Sequence, residues 1–378
     1  MIQRILWRIC CLLYVYIVKP ILFLIHPDKV HSMMISFASI VWHVAAFRLF
    51  IQLIFKRRIN EKLSQEHHGI IFTNPVGLAA GFDKDGEIIP AISALGFGFG
   101  TVGSVTAKQC VGNPRPWFYR LPNTQSTVVH AGLPNDGSKT IINRISKYPK
   151  NSIKHFPVVL SVAKTNCCEV ISIQDGINDY IATLKRAKNE KNIQIIELNI
   201  SCPNAYGGEP FTTPDRLKRL LTAVDKVGLR QPVYIKMPVD LSWDKFKGLL
   251  DVIIKHKVVG VTISNLTKDR GKIKLKDILP DEVLGSFSGK PTWHLSNELI
   301  RKTFLLYGDK LTIIGLGGVF SADDAYVKIK LGASLIETIT GVIFNGPQLA
   351  AEINDELIRL LKKDGYTHIS QAIGVDAK

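Results

Sequence analysis

Residues 311–341, LTIIGLGGVFSADDAYVKIKLGASLIETITG, carry the organisation of most of the chain in miniature. A short apolar, β-rich run (311–315) leads through a glycine-rich turn into an amphipathic stretch (322–331). A second β-rich run (334–338) follows and ends on Thr340-Gly341. Strand, helix and strand in this order form the unit of a parallel sheet with right-handed crossovers. Working outward, the same alternation predicts strands at 76–80, 99–105, 157–162, 194–200, 233–237 and 259–264, and helices at 174–188, 214–227, 243–256 and 295–307. Eight such units are what a closed (β/α)8 TIM barrel requires. An open doubly wound sheet uses the same alphabet, but no strong GxGxxG opens a helix after the first strand. The longest irregular insertions, 108–135, 201–213 and 267–293, all follow strand C-termini, the catalytic face of a barrel.

With 46% hydrophobic and 21% charged residues in 378, the chain is neither disordered nor fibrous, and 29 Gly with 18 Pro exclude low complexity. A formal charge of +16 favours anionic partners: phosphate-bearing cofactors, acidic lipids or nucleic acid. The basic residues are spread along the chain, and no appended RNA-binding segment is evident, so nucleic acid is not expected. Six cysteines lack the repeated spacing of a zinc site and are too sparse for a disulfide framework, which points to a reducing compartment.

Residues 1–65 differ in character from the barrel region 66–378. Residues 5–25 and 33–55 are apolar stretches, the second flanked by Lys56, Arg57 and Arg58. Residues 1–70 hold nine Lys/Arg and three Asp/Glu, so the most apolar part of the chain is also cationic. Helices lying in a membrane interface against anionic headgroups fit this combination, with Asp28 as the N-cap of the second helix. Two helices buried against the larger domain, or a single-pass anchor in 5–25, are the alternatives.

The glycines of Ile314-Gly315-Leu316-Gly317-Gly318 after strand seven and Thr340-Gly341 after strand eight face the place where barrels often bind a cofactor phosphate. Lys84 and Lys236 each end an apolar strand, where an ammonium can hold an anion or stabilise a reduced cofactor; a solvated loop lysine is the alternative for Lys84. Asn199-Ile200-Ser201-Cys202-Pro203-Asn204 closes strand four, and Asn265 ends strand six. These amides suit a planar amide-bearing ring. Cys202 between them is a nucleophile, a general base or a small buried thiol.

Together these motifs resemble the flavin-dependent dihydroorotate dehydrogenases, in particular their membrane-associated, quinone-reducing branch. The resemblance runs from about Lys19 to the C-terminus. It rests on NPVGLAAGFDKDGE (from Asn74), GFGFGTVGSVT (from Gly96), GNPRPWFYRLP (from Gly112), ELNISCPN (from Glu197), IKMPVDLS (from Ile235), SGKP (from Ser288), IIGLGGV (from Ile313) and GASLIETITG (from Gly332). The HPDKVHSMM and QAIGVDAK segments are similar to the ends of the quinone branch. The resemblance implies FMN held by Ala80, Gly81, Ser104, Asn199, Lys236, Ser264, Ser288, Gly289, Gly317, Gly318 and Thr340. It also implies dihydroorotate held by Lys84, Asn199, Asn204 and Asn265, with Cys202 as the base. The implied reaction yields orotate in pyrimidine synthesis and passes electrons to a membrane quinone that enters through the N-terminal helices. The implied location is peripheral, on the cytoplasmic face of a bacterial inner membrane or on a mitochondrial inner membrane.

Several positions depart from the family's pattern. The quinone branch usually has Ser where Cys202 stands. Val129 occupies the place of a substrate-contacting Asn, Leu266 that of a hydroxyl residue and Ser161 that of an FMN-contacting Asn. Trp117 and Ile339 replace an expected Arg and Tyr, whereas His31 is kept. A flavin oxidoreductase of the same fold with another small substrate, and a membrane flavoprotein without turnover, are therefore the rival readings.

Overall fold

The computed structural model describes residues 2–55 and 60–378. Eight runs become barrel strands: β1 (Val76–Leu78), β2 (Phe99–Val105), β3 (Val158–Val162), β4 (Ile195–Asn199), β5 (Val233–Met237), β6 (Gly260–Ile263), β7 (Thr312–Leu316) and β8 (Leu335–Thr338). Every strand residue except Thr312 is buried, as expected where helices cover the outer face of a parallel sheet. All neighbouring pairs are parallel, and the ring closes with Ile336 opposite Val76 and Gly260 opposite Tyr234. The predicted helices form at Ile173–Ala187, Pro214–Val227, Trp243–Ile253, Trp293–Tyr307 and Ala322–Lys330. Their ends follow local chemistry: Ser172 and Ser321 cap by accepting from the amides of Asp175 and Asp324, and Gly228 ends its helix with φ 65°.

Barrel polarity divides along its axis. At the N-terminal end an antiparallel hairpin, Gln65–His67 with Ile70–Phe72, drives Phe72 against Phe99, their ring centres 5.4 Å apart, and Tyr234 and Leu335 complete an apolar plug. At the C-terminal end two of the expected irregular insertions are ordered. Phe118–Leu121, Ser126–Val129 and Ser286–Phe287 pair as a three-stranded antiparallel sheet. Asp277 fixes the turn of this hairpin by accepting from the amides of Asn123 (3.0 Å) and Thr124 (2.6 Å), a long-range tie that local sequence does not reveal. The 201–213 insertion contains no helix or strand.

The N-terminal segment forms α1 (Ile2–Leu13), a wide turn, α2 (Lys19–Leu24), α3 (Pro27–His43) and α4 (Ala45–Phe55). The first two make one helical stretch, Gln3–Leu24, long and apolar enough to cross a membrane, with 6% of its most apolar window buried. One face docks: Trp7 Nε1 donates to the Ile54 carbonyl (2.8 Å), Tyr14 to the Ile343 carbonyl (2.7 Å), and Arg4 pairs with Asp355. The other faces leave Tyr16, Leu24, Ile40 and Leu53 exposed, which excludes helices buried on all sides. Lys56, Arg57 and Arg58 lie outside the described residues.

Asp28 is not the N-cap. Pro27 starts the helix one residue earlier, where its missing N–H is no loss, and the His26 ring accepts from the Asp28 amide. The buried Asp28 carboxylate instead accepts from the amides of Trp117 (3.0 Å) and Phe118 (3.1 Å), tying α3 to the mouth sheet.

Candidate active site

One cavity of about 620 Å³ occupies the C-terminal mouth and continues between the N-terminal helices. All fifteen positions singled out above line it: Ala80, Gly81, Lys84, Ser104, Asn199, Cys202, Asn204, Lys236, Ser264, Asn265, Ser288, Gly289, Gly317, Gly318 and Thr340. Val129, Leu266, Ile339 and His31 line it as well. Trp117 is not among the lining residues; its indole lies under the Arg115 guanidinium, 4.3 Å from ring centre, and donates to the Asn113 carbonyl.

The floor is a relay of polar side chains that point inward from successive strands. Asn199 donates to the Ser104 hydroxyl (2.8 Å), Ser104 lies 2.9 Å from Ser161, and Ser161 donates to Glu197 Oε1 (2.9 Å). Thr262 donates to Glu197 Oε2 (2.7 Å), so both oxygens of that buried carboxylate are satisfied. Lys236 is 4% exposed; its carbonyl accepts from Ser201 Oγ (2.8 Å), while its ammonium, at the cavity wall, makes no hydrogen bond to another described residue. A buried ammonium without an acceptor at a cavity wall is suited to a partly negative ring edge.

The glycine loops form a cradle at one side. Gly317 has φ +106°, and a Cβ there would lie 2.6 Å from Thr292 Oγ1; Gly318 has φ +72°, and its Cβ would lie 2.9 Å from that of Trp293. Only glycine fits both the turn and the space. Thr340 donates to Ser288 Oγ (2.9 Å), and Ser288 to the Thr127 carbonyl, so β8, the mouth sheet and the glycines converge on one polar pocket. A glycine cradle with two hydroxyls suits a phosphate, and Lys236 on the floor suits a ring, so the residues present fit FMN.

On the opposite side, Asn265 is fixed by donating to Asn199 Oδ1 (3.1 Å) and to the Ser201 carbonyl (2.8 Å), and Asn204 donates to the Val129 carbonyl (2.8 Å). The Lys84 loop is held by Asp83, which accepts from the amides of Glu87 and Ile88. Burial lowers Lys84 to about 8 and His31 to about 3, the latter helped by Lys84 itself. His31 is therefore neutral, and its Nε2 lies 2.8 Å from the Phe82 carbonyl and 3.1 Å from Lys84 Nζ. One nitrogen cannot donate to the carbonyl and accept from the ammonium at once. With the proton on Nε2, Lys84 is left to seek an anion. Burial also pushes the Cys202 thiol up to about 11, against the opposing pull of the Asn204 amide and Lys236.

Two lining residues escaped the sequence reading of the site. Arg120 donates to the carbonyls of Leu22 (3.2 Å) and Ile25 (2.9 Å), binding the end of α2 to the mouth sheet. Glu337 is buried, and burial followed by the proximity of Glu197 raises its carboxyl. An acid in the middle of the apolar run SLIETI was the available signal.

A closed parallel barrel with a cavity at its C-terminal mouth defines an α/β-barrel protein with the site at its usual place. The Dihydroorotate dehydrogenase family model matches residues 62–361, and the chain belongs to that family. It is 35% identical to a dihydroorotate dehydrogenase (quinone) of Haloarcula marismortui, over 84% of this chain and 87% of the relative. A dihydroorotate dehydrogenase (quinone) of Deinococcus deserti is 32% identical over 97% of this chain and 100% of its own length. The ligand-free DHODH crystal structure from Eimeria tenella superposes with a TM-score of 0.82 at 25% identity, covering 93% of this chain and 99% of that one.

Proposed function

We propose that this protein oxidises (S)-dihydroorotate to orotate on bound FMN and passes the electrons to a membrane quinone, in pyrimidine synthesis. The observation that carries the reading is the convergence of all fifteen family-derived positions on one cavity that also opens between the N-terminal helices. FMN, when bound, supplies the hydride acceptor. Gly317, Gly318, Gly289, Ser288 and Thr340 would hold its phosphate. Ala80, Gly81, Ser104, Asn199, Lys236 and Ser264 would hold its ring, with Lys236 opposing negative charge on it.

Lys84 holds the substrate carboxylate, and Asn199, Asn204 and Asn265 orient the ring. Cys202 as thiolate removes the C5 proton while hydride leaves C6. Because the resting group is a thiol, the base must first lose a proton, and the reaction should quicken as pH rises. Quinone reaches the flavin between the helices, past Val30, Met34 and Ile339. The exposed apolar helix faces and their basic neighbours support peripheral membrane binding, on the inner face of a bacterial membrane or on a mitochondrial inner membrane.

Detergent-purified protein should release FMN on denaturation and form orotate when given dihydroorotate and a short-chain ubiquinone. Bound FMN without orotate would favour the second reading, a shifted substrate. The apolar side chains of Val129 and Leu266 on the cavity wall motivate it.

A further inference from the structure

Two carboxylates and one ammonium share the barrel interior at the floor of the cavity: Glu197 on β4, Glu337 on β8 and Lys236 on β5. These are the charged groups that face Glu337. The two acids are not equivalent. Both oxygens of Glu197 accept a hydroxyl, the pattern of a settled carboxylate. Glu337 accepts through Oε1 from Thr101 (2.5 Å), while its Oε2, fully buried, has no hydrogen-bond partner. Glu337 also lines the cavity, as Lys236 does. Buried polar atoms are nearly always satisfied, so an orphan oxygen beside a ligand cavity calls for a proton, a water or a ligand.

We propose that Glu337 is a redox-linked proton site: its carboxyl, anchored by Thr101 with Oε2 free, binds a solvent proton when the flavin is reduced and releases it on reoxidation. This rests on the FMN reading above. Hydride transfer adds two electrons and one hydrogen to the ring, leaving one more negative charge in the cavity. That charge, added to Glu197, makes an ionised Glu337 less favourable, and Lys236 can neutralise only one of its neighbours. The carboxylate plus a solvent proton becomes the acid; removal of two electrons by the acceptor reverses the step. With the ring oxidised, burial and then the nearby Glu197 already hold the Glu337 carboxyl well above the usual carboxylate range. At a pH low enough to protonate it in both redox states nothing changes. Between its titration in the oxidised state and its higher titration in the reduced state, reduction draws the extra proton.

The test is the flavin's reduction potential from pH 6 to 10 on the full chain with FMN bound, in wild type and Glu337→Gln, which keeps the acceptor for Thr101. The expected result is that wild type takes up more protons per two electrons than the variant at the alkaline end of the range, by up to one, and the same number at its acid end. Equal uptake at every pH, with FMN bound in both, overturns this proposal alone. Protein that binds no FMN overturns the cofactor reading as well. Should the variant lose FMN, redox-difference infrared spectroscopy of wild type at pH 9 replaces it. A protonated-carboxyl band gained on reduction is expected; its absence contradicts the proposal.

Discussion

The two ends of the cavity are built by different physics. At the barrel end every wall is a strand terminus or the loop after it, and the polar groups are locked to each other from Asn199 through Ser104 and Ser161 to Glu197. At the helix end the walls are apolar side chains, held in place by a few ties such as Asp28 to the amides of Trp117 and Phe118 and Arg120 to the carbonyls ending α2. The first end is rigid because a closed sheet fixes it; the second depends on the docking of one helix pair. Damage at the barrel end should therefore abolish cofactor binding or chemistry. Damage at the helix end should affect the second substrate while leaving the first half-reaction intact.

The largest effect should come from Gly317→Val. It places a β-branched residue at φ +106° with Thr292 Oγ1 in the way, and the purified variant should carry no FMN while its far-UV spectrum stays native. Next is Cys202→Ala, which should keep FMN but slow its reduction by dihydroorotate by about a hundredfold or more, as loss of a general base implies. Unchanged reduction would remove Cys202 from the mechanism.

Asp28→Ala tests the helix end. Two amides lose their acceptor, at about 1–3 kcal/mol each, so the KM for quinone should rise about tenfold while the rate of flavin reduction stays within about twofold. An equal fall in both half-reactions would show that the two ends are one unit.

A pH series separates the groups on the substrate side. At saturating dihydroorotate the reduction rate should climb steadily with pH, because burial holds Cys202 as a thiol up to about 11. Affinity should move the other way. Lys84 is a cation below about 8 and loses its charge as pH rises through that value, so dihydroorotate binding should weaken there. The smallest change expected is a gain: Val129→Asn adds an amide to the cavity wall and should tighten dihydroorotate about tenfold, one hydrogen bond to a charged ligand being worth roughly 1.5–3 kcal/mol.

The barrel was legible because its strands are covered on both faces and its helices carry apolar stripes, so the alternation of short apolar β-rich runs with amphipathic stretches located all eight strands within about two residues. The polar motifs at strand ends were legible for a related reason: a Lys or Asn that closes an apolar run at the barrel mouth has few places to point other than the cavity. What stayed hidden depends on contacts distant in sequence. The mouth sheet joins 118–129 to 286–287 through Asp277, and Asp28 serves residues almost ninety positions away rather than its own helix. Glu337 was quoted within a motif yet not read as part of the site. Its inward direction follows from strand alternation, but its free oxygen depends on Thr101 and Glu197, which only the closed barrel brings near.

The measurement that bears most directly on the account is anaerobic mixing of the FMN-loaded protein with dihydroorotate, followed by a short-chain ubiquinone, with the flavin absorbance recorded throughout. The account predicts bleaching and then full recovery, and in Asp28→Ala normal bleaching with slowed recovery at low quinone. Flavin that stays yellow with dihydroorotate, or that bleaches and is not restored by quinone, would contradict it.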